Sequence, residues 1–290
     1  MLEINVHCVF GESDTSHVER VLVPSILQKN SSRKFNFRFL NYTSGSTEVI
    51  NIDHKHATSM TLLTRENSGK GFAENHNLLF NEFRPQGKFV IINPDCIATE
   101  GMIEAMISSY ERDPERTAIV EASQWPFEHP KEFDLVTGET PWASGACVLV
   151  NSKFYGEIGG MDERYFLYAE DVDLSWSAWL SGYRVIHEPR AKVMHFTNGP
   201  HQDSNQWGLE YLYGLRNHVL LLEKYFGSPG RKKGLAHVKS QSQPEVYAWV
   251  KNAVGRLGDS PRSRFTDVEV RNTPQIKVFS KGVYHKLVKP

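Results

Sequence analysis

Residues 168–195 read YAEDVDLSWSAWLSGYRVIHEPRAKVMH, a helix that hands over to a strand. From Asp171 to Ser181, Val172, Trp176, Trp179 or Leu180 and Tyr183 recur at helical spacing as one apolar stripe, and Gly182 ends it. Residues 184–187 follow as a strand punctuated by Pro189. Beyond it Ala191, Val193 and His195 share one face of an extended segment, which directs the imidazole inward with its apolar neighbours. At the start of the helix Glu170, Asp171 and Asp173 crowd three carboxylates into four residues. Like charges so close need compensation, from helix-start amides, from a bound cation or from plain solvation. The residues alone leave these three open.

Working outward, the first half of the chain alternates short apolar runs with helical patterns, which predicts an α/β domain on a mostly parallel sheet. Residues 5–10, 35–40, 60–63, 88–92, 117–121 and 146–150 read as strands. Val18, Val21, Leu22, Ser25 and Ile26 follow helical spacing behind capping residues 14–16, and residues 100–110 form an amphipathic helix stopped at Asp113-Pro114. Residues 124–141 make a long polar and aromatic connection, of a length that compact domains keep for function or mobility. After Gly199 the pattern changes. Leu212, Leu215, Val219, Leu222 and Phe226 predict an amphipathic helix over 209–226, residues 227–242 read as a flexible Gly, Ser and Lys linker, residues 246–254 as a short helix and residues 276–279 as a strand. The expected division is a domain over 1–226 and a basic, helical C-terminal extension over 227–290.

With 290 residues the chain can bury a large core. Its start, Met1-Leu2-Glu3-Ile4-Asn5, puts an acid where a signal peptide is basic, and no run approaches the roughly 20 apolar residues of a membrane span, so a cytoplasmic location is expected. Cys8, Cys96 and Cys147 are widely spaced among apolar neighbours, as reduced core thiols are. The net charge of −1 hides a division: residues 224–290 hold 14 Lys or Arg against 4 Asp or Glu, leaving 19 against 30 before them. A basic tail favours anionic surfaces such as lipid headgroups or nucleic acid; packing against its own acidic domain is the competing reading.

Asn93-Pro94-Asp95 follows the strand at 88–92, which places Asp95 at the carboxyl end of a sheet strand, where open α/β folds bind ligands. The same tripeptide is also good turn chemistry. His195 is equally two-sided, a core histidine or a ligand, but an Asp and a His together make a small open shell suited to Mn²⁺ or Mg²⁺. Ser68-Gly69-Lys70-Gly71 lacks the spacing of a Walker loop. Its glycines still permit close approach of a ligand to the backbone ahead of a helix over 72–80, and a plain turn into that helix competes.

Taken together these motifs resemble a known family. Gly45-Ser46-Thr47-Glu48, then Glu66-Asn67-Ser68-Gly69-Lys70-Gly71-Phe72-Ala73-Glu74-Asn75-His76-Asn77, then Ile92-Asn93-Pro94-Asp95 fall in order. Ser144-Gly145-Ala146, Gly159-Gly160-Met161-Asp162-Glu163, Phe166, Glu170-Asp171-Val172-Asp173-Leu174, Gly182-Tyr183-Arg184 and His195 continue the order. The set is similar to the family-2 glycosyltransferases of GT-A fold, in particular their bacterial rhamnosyltransferase-like members, over roughly residues 4–225. The resemblance implies a Rossmann-like nucleotide-sugar domain and inverting transfer of a sugar from a nucleotide-diphosphate donor to an acceptor hydroxyl, in cell-surface polysaccharide synthesis.

By position, the resemblance implies that Asp95 and His195 hold a divalent metal, Mn²⁺ or Mg²⁺, and that Asp171 is the general base with Glu170 beside it. It implies a donor site of Thr43, Gly45, Ser46, Asn67, Gly71, Asn75, Asn93 and Asp95, with Trp142, Ser144 and Gly145 on the acceptor side. The expected acceptor is a glycan or lipid-linked glycan, with peripheral contact to an anionic inner membrane face through the basic tail and no nucleic-acid partner. Trp125 and Phe127, with Trp142, are further candidates to stack on acceptor sugars, and burial as core aromatics is the competing reading. Two departures stand out. Thr43-Ser44 replaces the Asp that relatives carry before the Gly-Ser-Thr element, and Ser177 and Trp179 occupy the region of an Arg that follows the acidic cluster. A nucleotidyltransferase, or a non-catalytic sugar-nucleotide or glycan binder that keeps the fold, are the alternatives.

Overall fold

The computed structural model describes residues 3–30, 33–42, 57–64, 71–129, 131–195, 208–258 and 263–278. Eight strands form one sheet: β1 (Glu3–Phe10), β2 (Lys34–Asn41), β3 (Ala57–Thr64), β4 (Lys88–Ile92), β5 (Cys96–Ala98), β6 (Thr117–Trp125), β7 (Cys147–Asn151) and β8 (Arg184–His195), in the order β3-β2-β1-β4-β7-β6-β8-β5. Strands β3, β2, β1 and β4 run parallel. β7 is antiparallel to both β4 and β6, β8 runs parallel to β6, and β5 closes the edge antiparallel to β8.

The inner strands are buried on both faces, as their near-continuous apolar runs require. In β4, Val90 and Ile92 join the core that holds Ile26, Met102 and Met106, whereas Phe89 and Ile91 join the one that holds Ala73, Phe154 and Leu174. The first core lies under α2 (Val23–Lys29) and α4 (Met102–Tyr110), with Val18 and Leu22 ahead of α2 and after the short α1 (Thr15–His17); the second lies under α3 (Phe72–Phe83), α5 (Ser152–Glu157) and α6 (Glu170–Leu180). Between α1 and α2 the turn is π-helical over Val18–Leu22. Pro24 follows at once, with no amide hydrogen to donate along a regular helix. Cys8, Cys96 and Cys147 are free and buried.

The C-terminal part differs from expectation. Residues 227–242 are no flexible linker: α7 runs over Leu209–Gln241, with one non-helical residue, Gly227 (φ 63°), making a kink. The two halves pack against each other as a hairpin. A side chain at Gly230 would stand 2.0 Å from the Leu222 carbonyl oxygen, and one at Gly234 3.1 Å from the Val219 Cα. The glycines that suggested flexibility are therefore packing residues that let two helices approach. The strand expected at 276–279 is also corrected: residues 274–278 form α10 (Pro274–Val278), after α8 (Pro244–Arg256) and α9 (Asp267–Asn272). Proline at a helix start and the burial of Val270 and Ile276 beside α6 explain that outcome. Val238, Val246, Val250 and Val254 share one apolar cluster with Val172 and Trp176 of α6.

Candidate active site

Strand pairing brings together Asp95 and His195. After β4 the chain turns through Asn93-Pro94-Asp95, with the Asn93 amide donating to Ala146 O at 2.8 Å. Cys96 opens β5, and the β5–β8 register sets it opposite His195. His195 Nε2 consequently lies 3.3 Å from Asp95 Oδ1. Gln124 Oε1 sits 2.7 Å from His195 Nδ1. A carbonyl oxygen only accepts, so Nδ1 carries a proton, and in the neutral ring Nε2 turns its lone pair toward Asp95. A lone pair facing a carboxylate calls for a cation between them, so these residues fit a divalent metal. Among the described residues, Asp95, Cys96 and His195 form the cluster whose ligand atoms lie within 4.8 Å of one another. Burial pushes the Cys96 thiol well above its ordinary range, and Sγ faces Ala146 O at 3.6 Å. The remaining oxygen and nitrogen donors suit Mn²⁺ or Mg²⁺ and leave positions open.

The acid cluster divides by partner. Asp173 is buried and bonded to Lys224 Nζ at 2.7 Å and the Tyr225 hydroxyl at 2.9 Å, a structural anchor between α6 and α7. Asp171 accepts from the Gly145 amide at 3.0 Å through Oδ2 and from the Val172 amide at 2.8 Å through Oδ1. Burial raises its carboxyl above the ordinary range, and those two amides oppose the rise. Glu170 is 5% exposed, and its Oε2 has no hydrogen-bond partner among the described residues. Burial, and then the charge of Asp171, push its carboxyl well above the usual range. Two neighbouring carboxyls in one apolar setting resist double ionisation; two amide donors favour the charge on Asp171, and burial disfavours it on Glu170.

A three-residue bridge connects the two halves. In Ser144-Gly145-Ala146 the Ala146 carbonyl accepts from Asn93 and the Gly145 amide donates to Asp171, so Asp95 and Asp171 flank the carboxyl end of β4. The Ser144 amide donates to Glu121 Oε1 at 2.7 Å. Glu121 is fully buried against Lys131 and His187 Nδ1, the latter at 3.1 Å; burial would raise its carboxyl, but those partners hold it below the ordinary range. Lys131 belongs to the 124–141 connection, so this ion pair ties that segment to the site.

Thr43, Gly45, Ser46 and Asn67 lie outside the described residues, as does the Ser68-Gly69-Lys70 turn. Gly71 is described, and the close approach it permits is internal: a side chain there would stand 2.0 Å from the Phe166 carbonyl oxygen, which accepts from the Phe72 amide at 2.9 Å. Asn75 is buried on α3 at 1% exposure. Trp142 is corrected as a stacking surface. It is 2% exposed, with Lys131 Nζ 4.6 Å from its ring centre, and it belongs to the core beside α6. Trp125 and Phe127 are exposed instead, at 56% and 73%, where β6 leaves the sheet beside His195. Ser177 bonds the Tyr225 hydroxyl at 3.1 Å and Trp179 Nε1 donates to Thr140 O, so both residues serve the packing of α6.

Solved structures share this architecture. The chain superposes on GalNAc-T7, solved with UDP, GalNAc and Mn²⁺, with a TM-score of 0.64 over 97% of this chain and 58% of that one, at 11% identity. Against the mannosyltransferase PcManGT of Pyrobaculum calidifontis, solved with GDP-Man and Mn²⁺, the TM-score is 0.55 over 98% and 84%, at 12% identity. Residues 1–349 of S. aureus TarS give 0.56 over 99% and 81%, at 10% identity. The fold is GT-A. No family model matches the chain. In sequence it is 36% identical over 95 residues to the N-acetylglucosaminyl-diphospho-decaprenol L-rhamnosyltransferase of Mycobacterium tuberculosis, a match over 33% of this chain and 28% of that protein. It is 30% identical over 69 residues to the rhamnosyltransferase WbbL of Escherichia coli K12, over 24% and 26%. The chain thus matches less than a third of the length of either curated relative.

Within this GT-A frame three polar side chains matter that the sequence reading did not single out for a role. Gln124 orients His195. Asn77 anchors the Gly159-Gly160-Met161 turn: Nδ2 donates to Met161 O at 2.8 Å, and Oδ1 accepts from the Tyr155 hydroxyl at 2.7 Å and the Met161 amide at 2.9 Å. Asn217 bonds the carbonyls of Leu167 and Tyr168. Asn217 lies three and four residues before Leu220 and Leu221, both fully buried, so a polar residue on that helix face was the available signal.

Proposed function

We propose that this chain is an inverting glycosyltransferase that moves a sugar from a nucleoside-diphosphate donor to a hydroxyl of a glycan acceptor. The observation that carries this reading is the placement of an Asp–His pair and an amide-held carboxylate on either side of one bridge at the carboxyl end of β4. Asp95 and His195 would hold the divalent cation, which offsets the charge that develops on a departing diphosphate. Asp171 takes the acceptor proton: its carboxylate is held by two amides, and burial raises its pKa, which makes it a stronger base. Glu170 lies beside it on the same helix turn, where burial disfavours a second charge. Similarity to rhamnosyltransferases supports L-rhamnose as the sugar and a lipid-linked glycan as the acceptor, with Trp125 and Phe127 as the exposed rings that a sugar would stack on.

The test is a screen of nucleoside-diphosphate sugars, L-rhamnose donors included, with and without Mn²⁺, read by thermal shift and by release of nucleoside diphosphate. A ligand of the native state raises the melting temperature by mass action. Asp171→Asn should lower transfer by about 10²–10⁴-fold, the range for a positioned general base, while metal-dependent donor binding stays within a few fold of the parent. Donor binding with transfer equal in parent and variant would remove Asp171 from the base role. Release of pyrophosphate from a nucleoside triphosphate would point to nucleotidyl transfer instead.

A further inference from the structure

The segment that presents Glu170 and Asp171 is held in an uncommon backbone shape from outside its own element. Tyr168 and Ala169 both have φ of 69°, in the left-handed region, and Ala169 is the N-cap of α6. Side chains with a Cβ are disfavoured there, and two in succession persist only where the surroundings over-determine them. Here a single buried amide does so. Asn217 Nδ2 donates to Leu167 O at 2.8 Å and to Tyr168 O at 2.5 Å. Its Oδ1 accepts from Arg216 Nε at 2.8 Å, and Arg216 Nη2 donates to Arg164 O at 3.1 Å. The guanidinium on the oxygen fixes which end of the amide faces the two carbonyls. Asn217 is fully buried, and the first turn of α6 begins one residue after the left-handed pair.

We propose that Asn217 is a positioning residue for the acid pair: by holding the Leu167 and Tyr168 carbonyls it keeps Tyr168 and Ala169 left-handed and sets where α6 delivers Asp171 against Gly145. Only the turnover arm of its test rests on the glycosyl-transfer reading. Hydrogen exchange, read on peptides spanning residues 165–175 and on peptides of β1 and β2, is independent of any substrate. Asn217→Ala should speed exchange in the first set at least tenfold and leave the second unchanged. With nucleoside-diphosphate L-rhamnose and Mn²⁺, the same variant should lower kcat for nucleoside-diphosphate release at least tenfold with KM within threefold. Adding Ala169→Gly, which removes the steric cost of the left-handed N-cap, should restore kcat to within threefold of the parent. Unchanged exchange in Asn217→Ala, faster exchange with unchanged kcat, or no recovery with the glycine would each overturn the proposal. If Asn217→Ala fails to fold, folding of the double variant supports it, and failure of both makes Asn217 a general packing residue and overturns it. A parent that releases no nucleoside diphosphate counts against glycosyl transfer alone, and exchange then decides for Asn217.

Discussion

Gln124 shows how a neutral side chain can determine what a charged pair does. It offers no ligand atom to a cation between Asp95 and His195, yet its Oε1 at 2.7 Å from Nδ1 chooses the tautomer that turns the Nε2 lone pair toward Asp95. Its own backbone is held by the Glu128 carboxylate, which accepts from the Gln124 backbone N–H at 2.7 Å and from the Ser123 hydroxyl at 3.0 Å. Removing the partner of a metal-binding histidine commonly lowers metal affinity by about 10–100-fold. Gln124→Ala should weaken Mn²⁺ by that factor in calorimetric titration with a nucleoside diphosphate present, with the fold unchanged by circular dichroism. Equal affinity in the two proteins would show that Gln124 does not act on the ion. Asp95 and His195 were legible because each is a chemically distinctive residue at a strand end. Gln124 was not, since glutamine in a polar stretch carries no periodicity and its partner is 71 positions away.

At the scale of elements, β1 and α3 meet through two histidines that water does not reach. His7 and His76 are 0% and 1% exposed, and their four ring nitrogens have no hydrogen-bond partner among the described residues. Burial lowers both: His76 falls to about 3, and His7 well below its ordinary value, with His76 and Arg38 adding to the effect. Because the folded values lie below the unfolded value near 6.5, the unfolded chain binds protons first. Their contribution to stability is complete above pH about 6.5 and is lost as the pH falls toward the folded values, by about 1.4 kcal/mol per pH unit for each histidine. Urea midpoints at pH 7.5 and 5.0 should therefore fall further for the parent than for His76→Leu, and parallel losses would exclude this cause. The strands and helices of this half follow from alternating and helical patterns in their own residues. The hairpin within α7 does not, because composition cannot distinguish glycines that loosen a chain from Gly230 and Gly234, spaced four apart on one helix face to admit Leu222 and Val219.

For the whole molecule, the charge division is partly consumed inside it. Lys224 binds Asp162 and Asp173, and Arg231 binds Glu223. Lys232, Lys233, Lys239, Lys251 and Arg256 are exposed and form no ion pair among the described residues, on helices that also expose Trp249 at 37%. No helix of the described residues is long and apolar enough to cross a membrane. Basic side chains near an anionic leaflet contribute about 1 kcal/mol each, an attraction that added salt screens over about 10 Å at 0.1 M. Removing residues 227–290 would be a poor test, because Val238, Val246, Val250 and Val254 help cover α6. Charge changes on the exposed face avoid that problem. Lys232→Gln with Lys233→Gln should weaken sedimentation with phosphatidylglycerol vesicles by about 30-fold, the equivalent of roughly 2 kcal/mol. Binding by the parent should vanish in high salt and be absent with neutral phosphatidylcholine vesicles. Vesicle binding that is indifferent to both salt and these two substitutions would mean that the exposed basic face serves something other than an anionic membrane.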